Sequence, residues 1–268
     1  PYFVDSYGEY WRAYHFIEHA YALEELSGPE DFYESAIAFG HFQKMLADFP
    51  ADSLHETIAG FHDTRSRFAA FEEAVKKDVC QRASGVAEEI QFVKSRYDVA
   101  CVLGDLLENG TLPLRVTHND TKSNNVLIDE TTKKGLCVID LDTVMPGLAV
   151  NDFGDSIRFG ASTGAEDEKD LSKISCDLGL FDVYTKGFVE GCEGILTKEE
   201  IACLPLGAKV MTYECGMRFL TDYLSGDVYF KTDYPAHNLD RARTQFKLVA
   251  DMEEKWEEIQ RIIQKYIL

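Results

Sequence analysis

No apolar run in this sequence is long enough to cross a bilayer, and no secretory leader opens it, so membrane spanning and export are not expected. Positive charge is scarce as well. Lysine and arginine total 27 against 47 aspartates and glutamates, a formal charge of -20 that argues against nucleic acid or an anionic membrane surface as partner. CxxC pairs are missing. The seven cysteines (Cys80, Cys101, Cys137, Cys176, Cys192, Cys203, Cys215) are odd in number and scattered, which indicates neither a disulfide framework nor a zinc knuckle and fits a reducing cytoplasm. Internal repeats, low-complexity linkers and an initiator methionine are also lacking, and a chain that opens on Pro1 is expected to start inside a longer protein.

What is present has the composition of a soluble globular chain. Its 268 residues, 45% hydrophobic and 12% aromatic, suit one large domain or one domain plus a fragment. Aromatic and β-branched residues around Asp5-Ser6-Tyr7-Gly8 predict a hairpin over residues 1–18, its second strand running over 10–17. Pro29 in a first turn after Ser27 and Gly28, with Phe32, Ala36, Phe39 and Phe42 at helical spacing, predicts a helix to Leu46. Further helix is expected from about residue 68 to 107, closed by Asn109-Gly110. Short strands follow near 114–117, 125–128 and 136–141, the last two joined by a turn-rich stretch. From Asp167 onward the pattern is helical, broken near 226–235 and ending in one long amphipathic helix from about 238 to 266.

One segment combines polar chemistry with a strand: Thr117 to Asp129, THNDTKSNNVLID. In a kinase-type phosphoryl-transfer site an Asp orients the attacking hydroxyl, an Asn five residues on holds a metal, and a second Asp beyond the next hairpin bridges metal to phosphates. Asp120, Asn125 and Asp140 stand at those positions. His118 precedes the first Asp by two residues, and Lys122 follows it by two, where an ammonium could meet the transferring phosphoryl group. Singly, each has an ordinary structural explanation in a turn or a core. Five in this order across a strand-turn-strand unit point to phosphotransfer.

This segment, followed by CVIDLDTVMPGLAVNDFGDSIRFGAS, resembles the aminoglycoside phosphotransferase and choline kinase superfamily. GMRFLTDYLSGDVYF (216–230) and YPAHNLDRARTQFKLVADME (234–253) extend the resemblance toward the N-acetylhexosamine 1-kinases, which phosphorylate the anomeric hydroxyl of N-acetylglucosamine or N-acetylgalactosamine with ATP. The resemblance implies an α+β, protein-kinase-like fold. Residues 1–18 would be a remnant of the small-lobe sheet and hinge, and 19–268 the mostly helical large lobe. It implies Mg²⁺ at Asn125 and Asp140, and ATP at the hinge residues Ile17 and Glu18 and over a floor of Leu127 and Ile139. Asp120, Lys122 and His118 become the catalytic group, and Asp142, Phe159, Arg218 and Tyr229 the residues that hold the sugar.

Asn119 stands where protein kinases carry an arginine, and no Ala-Pro-Glu follows, so a small-molecule acceptor is expected. A phosphate-covering loop and its strand lysine cannot be found, which predicts little activity for this chain without an upstream lobe. Asp152-Phe153-Gly154 lies too far along to be the metal-binding DFG; Asp152 and Asp155 are expected to cap a helix or brace the catalytic loop. Cys203-Leu204-Pro205-Leu206-Gly207 begins like a sulfatase signature but has Gly207 in place of its arginine, so a mucin-desulfatase label has little support. Another alcohol kinase (aminoglycoside, choline or homoserine) and a non-catalytic sugar-binding remnant are the alternatives.

Overall fold

In the computed structural model, which describes residues 2–24 and 26–267, the aromatic opening pairs over only two residues a side. β1 (Phe3–Val4) and β2 (Tyr10–Trp11) are antiparallel, with Phe3 opposite Trp11. The Asp5 carboxylate turns the chain by accepting from the amides of Tyr7 (2.9 Å) and Glu9 (3.0 Å), and Gly8 takes φ 86°. The strand expected to reach Ile17 stops at Trp11 because residues 12–17 meet no partner strand, and Tyr14 and Phe16 stay exposed. Pairing resumes at β3 (Ala20–Ala22), in a different sheet. Pro1, Glu25 and Leu268, which belong to the two segments expected from the sequence, lie outside the described residues.

α1 (Pro29–Met45) starts at its proline and buries Phe32, Ala36, Phe39 and Phe42 as their spacing requires. Asp63 caps α2 (Thr64–Lys77) by accepting from the Ser66 amide at 3.0 Å. α3 (Ala87–Ala100) and α4 (Val102–Glu108) follow, ending at Asn109 and at Gly110 with φ 78°. Then come β4 (Arg115–Thr117), β5 (Val126–Asp129), β6 (Gly135–Val138) and β7 (Met145–Gly147). The sheet order is β3-β5-β6, all antiparallel, while β4 pairs with β7. β7 carries no strand signal of its own. β6 ends at Val138, short of the expected 141, where Asp140 in left-handed backbone (φ 59°) turns the chain out of the ladder.

α5 (Ala149–Gly160), α6 (Leu178–Gly191) and α7 (Lys198–Ser225) build the centre. A capping box of Thr197 and Glu200 opens α7, and Gly226 (φ 99°) closes it. The last helix is two: α8 (His237–Glu254) and α9 (Trp256–Gln264). Periodicity continues across the break, but Lys255 is tied there to Asp251 (2.8 Å) and to the Cys176 carbonyl (2.9 Å). No helix among the described residues is long and apolar enough to cross a membrane.

α7 spans two apolar clusters. Leu204 and Ala208 belong to one, with Phe39, Val126, Ile128 and Phe153; Tyr213, Met217 and Leu220 belong to the other, with Phe71 and Phe246. The helix crosses α5 so closely that a Cβ on Gly207 would lie 2.2 Å from the Val150 carbonyl oxygen. The residue that breaks the sulfatase pattern is thus a packing glycine inside α7. Gly207→Ala should cost about 3 kcal/mol, the upper end for overpacking, because the obstacle is backbone. Urea unfolding that shows less than 1 kcal/mol of change would remove this crossing as the reason for the glycine.

Candidate active site

The segment 117–125 links β4 to β5 and is held from beneath by α5. Asp152, 1% exposed, accepts from the amides of His118 (2.9 Å) and Asn119 (2.8 Å) and from Gln43 Nε2 (2.7 Å). Asp155 accepts from the Thr121 amide (3.0 Å) and is paired with Arg158 (2.9 Å). Burial pushes the Asp152 carboxyl up, against the opposing pull of His118 and of the donated hydrogen bonds. Burial acts the same way on Asp155, but Arg158 outweighs it, and that carboxyl sits below its usual range. Both aspartates of the literal DFG neighbourhood therefore brace the loop, and Asp152 lies within α5 rather than at its cap. Asn119 takes the strained left-handed backbone (φ 64°) that this double attachment imposes, and its Nδ2 donates to the Thr143 carbonyl at 2.8 Å.

His118 does not face the cleft. It is fully buried, its Nε2 lies 2.9 Å from the Ile139 carbonyl, and its Nδ1 accepts from the Asp120 amide at 3.3 Å. Both ring nitrogens are engaged and Phe39 and Phe42 pack edge-on, so in this arrangement it holds the loop.

Asp120, Lys122 and Asn125 come together. Lys122 Nζ stands 3.2 Å from Asp120 Oδ1, and the Asp120 side chain keeps 28% of its surface open. Asn125 Nδ2 donates to the Asp120 carbonyl (2.8 Å) and to Oδ2 (3.2 Å), which leaves the amide oxygen as the atom that could ligate a cation. The Ile139 amide donates to the Asn125 carbonyl at 2.9 Å, so exposed Asp140 follows directly beside Asn125. Oxygen donors of this kind suit Mg²⁺. Among the described residues no cluster of three His, Cys, Asp or Glu could hold a metal, so an ion here would need further oxygens from phosphates.

Leu127 lies opposite Ala22 and Cys137 in the sheet, on the face away from buried Val126 and Ile128. Two-residue alternation from Cys137 puts Ile139 on that same face. Half-buried Ile17 and exposed Glu18 sit just before β3, in coil and turn, and not on the sheet itself.

A cavity of about 440 Å³ opens beside Asp120 and Lys122, with Phe159, Arg218 and Tyr229 in its walls. Five residues chosen from sequence thus share one space. Asp142 does not join them: it is 64% exposed and paired with Arg12 from the coil after β2. Its place two residues past the left-handed Asp140 turns it toward that coil. Phe61, His62 and Glu214 also line the cavity and carry no sequence motif. Buried Glu214 of α7 holds His62 Nδ1 (3.0 Å) and Thr64 Oγ1 (3.2 Å), which fixes the loop before α2 as a wall. Their only signal is contact across the fold.

Solved structures share this architecture at low identity. Choline kinase from Cryptosporidium parvum Iowa II superposes with a TM-score of 0.54 at 14% identity, covering 94% of this chain and 73% of that one. A microcompartment-associated aminopropanol kinase gives 0.55 at 18%, covering 91% and 68%. Plasmodium vivax ethanolamine kinase gives 0.50 at 14%, covering 86% and 63%. The chain therefore has a kinase-like fold and spans 63% to 73% of the length of these three. Residues 4–177, more than half of the sequence, match the phosphotransferase enzyme family (APH), and the chain belongs to that family.

Proposed function

We propose that this chain is the large part of an ATP-dependent small-molecule kinase whose acceptor is an N-acetylhexosamine, phosphorylated at its anomeric hydroxyl. The observation that carries the reading is the 440 Å³ cavity, in which the Asp120–Lys122 pair meets Phe159, Arg218 and Tyr229. In this reading residues 1–18 form the rim and hinge and 19–268 the large lobe.

Asp120 accepts the proton of the attacking hydroxyl and aligns its oxygen. Lys122 offsets negative charge gathering beside it. The rings of Phe159 and Tyr229 pack on the sugar face and acetyl methyl, and Arg218 donates to hydroxyl or amide oxygens. Asn125 and Asp140 would hold Mg²⁺, and Leu127, Ile139, Ile17 and Glu18 would line the adenine. Bound Mg²⁺-ATP supplies the phosphoryl group and the cationic charge that phosphoryl transfer needs.

An amino-alcohol acceptor, as in the names of the three solved neighbours, is the second reading. It is disfavoured because each carboxylate lining the cavity is already paired with a protein cation or a histidine. The test is phosphoryl transfer from Mg²⁺-ATP to N-acetylglucosamine, N-acetylgalactosamine, choline, homoserine and an aminoglycoside by the purified protein. Phosphorus NMR should show an anomeric phosphate on the N-acetylhexosamines. Tyr229→Ala should raise KM for the sugar by roughly tenfold and leave KM for ATP unchanged, as loss of acceptor binding requires. Transfer to choline alone would overturn the reading, and sugar binding without any transfer would reduce it to a binding module.

A further inference from the structure

We propose that Arg218 is the built-in occupant of an aromatic cation cage in the acceptor cavity, and that it thereby shuts out acceptors bearing an ammonium group. The proposal rests on the reading above only in taking this cavity as the acceptor site.

The cage is assembled from three separate parts of the chain. Phe61 comes from the loop before α2, Tyr229 and Phe230 from the loop after α7, and Arg218 from α7 itself. Arg218 Cζ stands 5.1 Å from the centre of the Phe61 ring, 5.5 Å from that of Phe230 and 5.9 Å from that of Tyr229. These distances lie within the range over which the negative face of an aromatic ring attracts a cation. Among the described residues no carboxylate forms an ion pair with Arg218, so the rings are its partners. An ammonium ion entering the cavity would need those same ring faces.

Nor does it find anything else. Glu214 is held by His62 (3.0 Å), Asp120 by Lys122 (3.2 Å), and Asp155 and Glu166 by Arg158 (2.9 and 2.8 Å). Of the other two phenylalanine rings in the lining, Phe159 already faces Arg158 at 3.8 Å and Lys122 at 5.2 Å, and Phe219 faces Arg241 at 5.5 Å. Counted over the lining, five cations (Lys122, Arg158, Arg218, Lys231, Arg241) stand against four carboxylates (Asp120, Asp155, Glu166, Glu214), a local excess of 5 - 4 = 1 in a chain whose formal charge is -20. Burial and then Arg218 itself hold the adjacent Arg67 below the ordinary arginine value, a sign that positive charge is already crowded here. The site rejects a cation by having filled its cage, an instance of specificity through an element set against the wrong ligand. A neutral acceptor pays no such penalty, and its carbonyl or hydroxyl oxygens can accept from the Arg218 guanidinium.

Calorimetric titration of the 268-residue chain with tetramethylammonium tests this without relying on catalysis. Arg218→Met and Arg218→Gln both remove the guanidinium that the three rings share, at similar side-chain length and with Arg67 left 5.8 Å from Phe61 alone, and Arg218→Lys keeps a cation among the rings. Either of the first two should bind tetramethylammonium about tenfold more tightly than the native chain, a change equivalent to about 1.4 kcal/mol, while Arg218→Lys gains nothing and neutral tert-butanol, of similar size, gains less. The proposal is overturned if the native chain binds tetramethylammonium as tightly as both variants, if neither variant gains, if Arg218→Lys gains equally, or if tert-butanol gains as much. Since no sugar or ATP enters the titration, failure of the N-acetylhexosamine assignment would show separately, in the transfer assay.

Discussion

Asp120→Asn is expected to lower kcat by about 10²- to 10⁴-fold, or roughly 3 to 5 kcal/mol of barrier, while leaving KM for both substrates nearly unchanged. The substitution keeps the size of the side chain and takes away only its ability to accept a proton and to carry charge. The surroundings tolerate it. Asn125 Nδ2 still has the backbone carbonyl of residue 120 at 2.8 Å, and the lost ion pair with Lys122 is open enough to water to contribute little stability. The loop keeps its attachments through the amides on either side, to Asp152 and Asp155. The measurement is steady-state turnover of N-acetylhexosamine and ATP in the competent protein, with thermal unfolding as the control for folding. Turnover within a few-fold of the parent would remove Asp120 from the mechanism.

Asp152→Ala should be the most destabilising substitution in the site and should also slow catalysis, although the residue touches no substrate. Its carboxylate satisfies two amides and one side-chain amide in a place with almost no exposure. Each buried donor left without a partner costs about 1–3 kcal/mol, so a total near 4 kcal/mol is expected even after some relaxation. The freed amides belong to His118 and Asn119, immediately before Asp120, so the carboxylate proposed to align the nucleophile loses its reference frame. Urea unfolding measures the stability loss. Hydrogen exchange at the amides of 118 and 119 should speed up more than at β5. Asp140→Ala provides the contrast: exposed Asp140 should affect Mg²⁺-dependent turnover with little change in stability. If Asp152→Ala costs under 1 kcal/mol, the bracing role is wrong.

Residues 117–125 and the elements beside them were legible from local spacing. Asp120, Lys122 and Asn125 lie within six consecutive positions, so local spacing alone nearly dictates their meeting, and Asp140 follows after the next hairpin. α1 was legible for a similar reason: Pro29 sets its start, and Phe32, Ala36, Phe39 and Phe42 return to one face every turn. The partners of polar groups far apart in sequence come from how the elements pack. Asp142 is paired with Arg12, a residue 130 positions earlier. The two ring nitrogens of His118 meet the carbonyl of Ile139 and the amide of Asp120. β7 exists because β4 is there to pair with it, β2 stops where its partner stops, and the last helix breaks where Lys255 is pulled toward Cys176. Apolar periodicity reports which face of an element turns inward, because burial of area is non-directional and any apolar neighbour satisfies it. A hydrogen bond or ion pair needs one particular partner at about 3 Å, and which partner arrives is settled by how the elements pack.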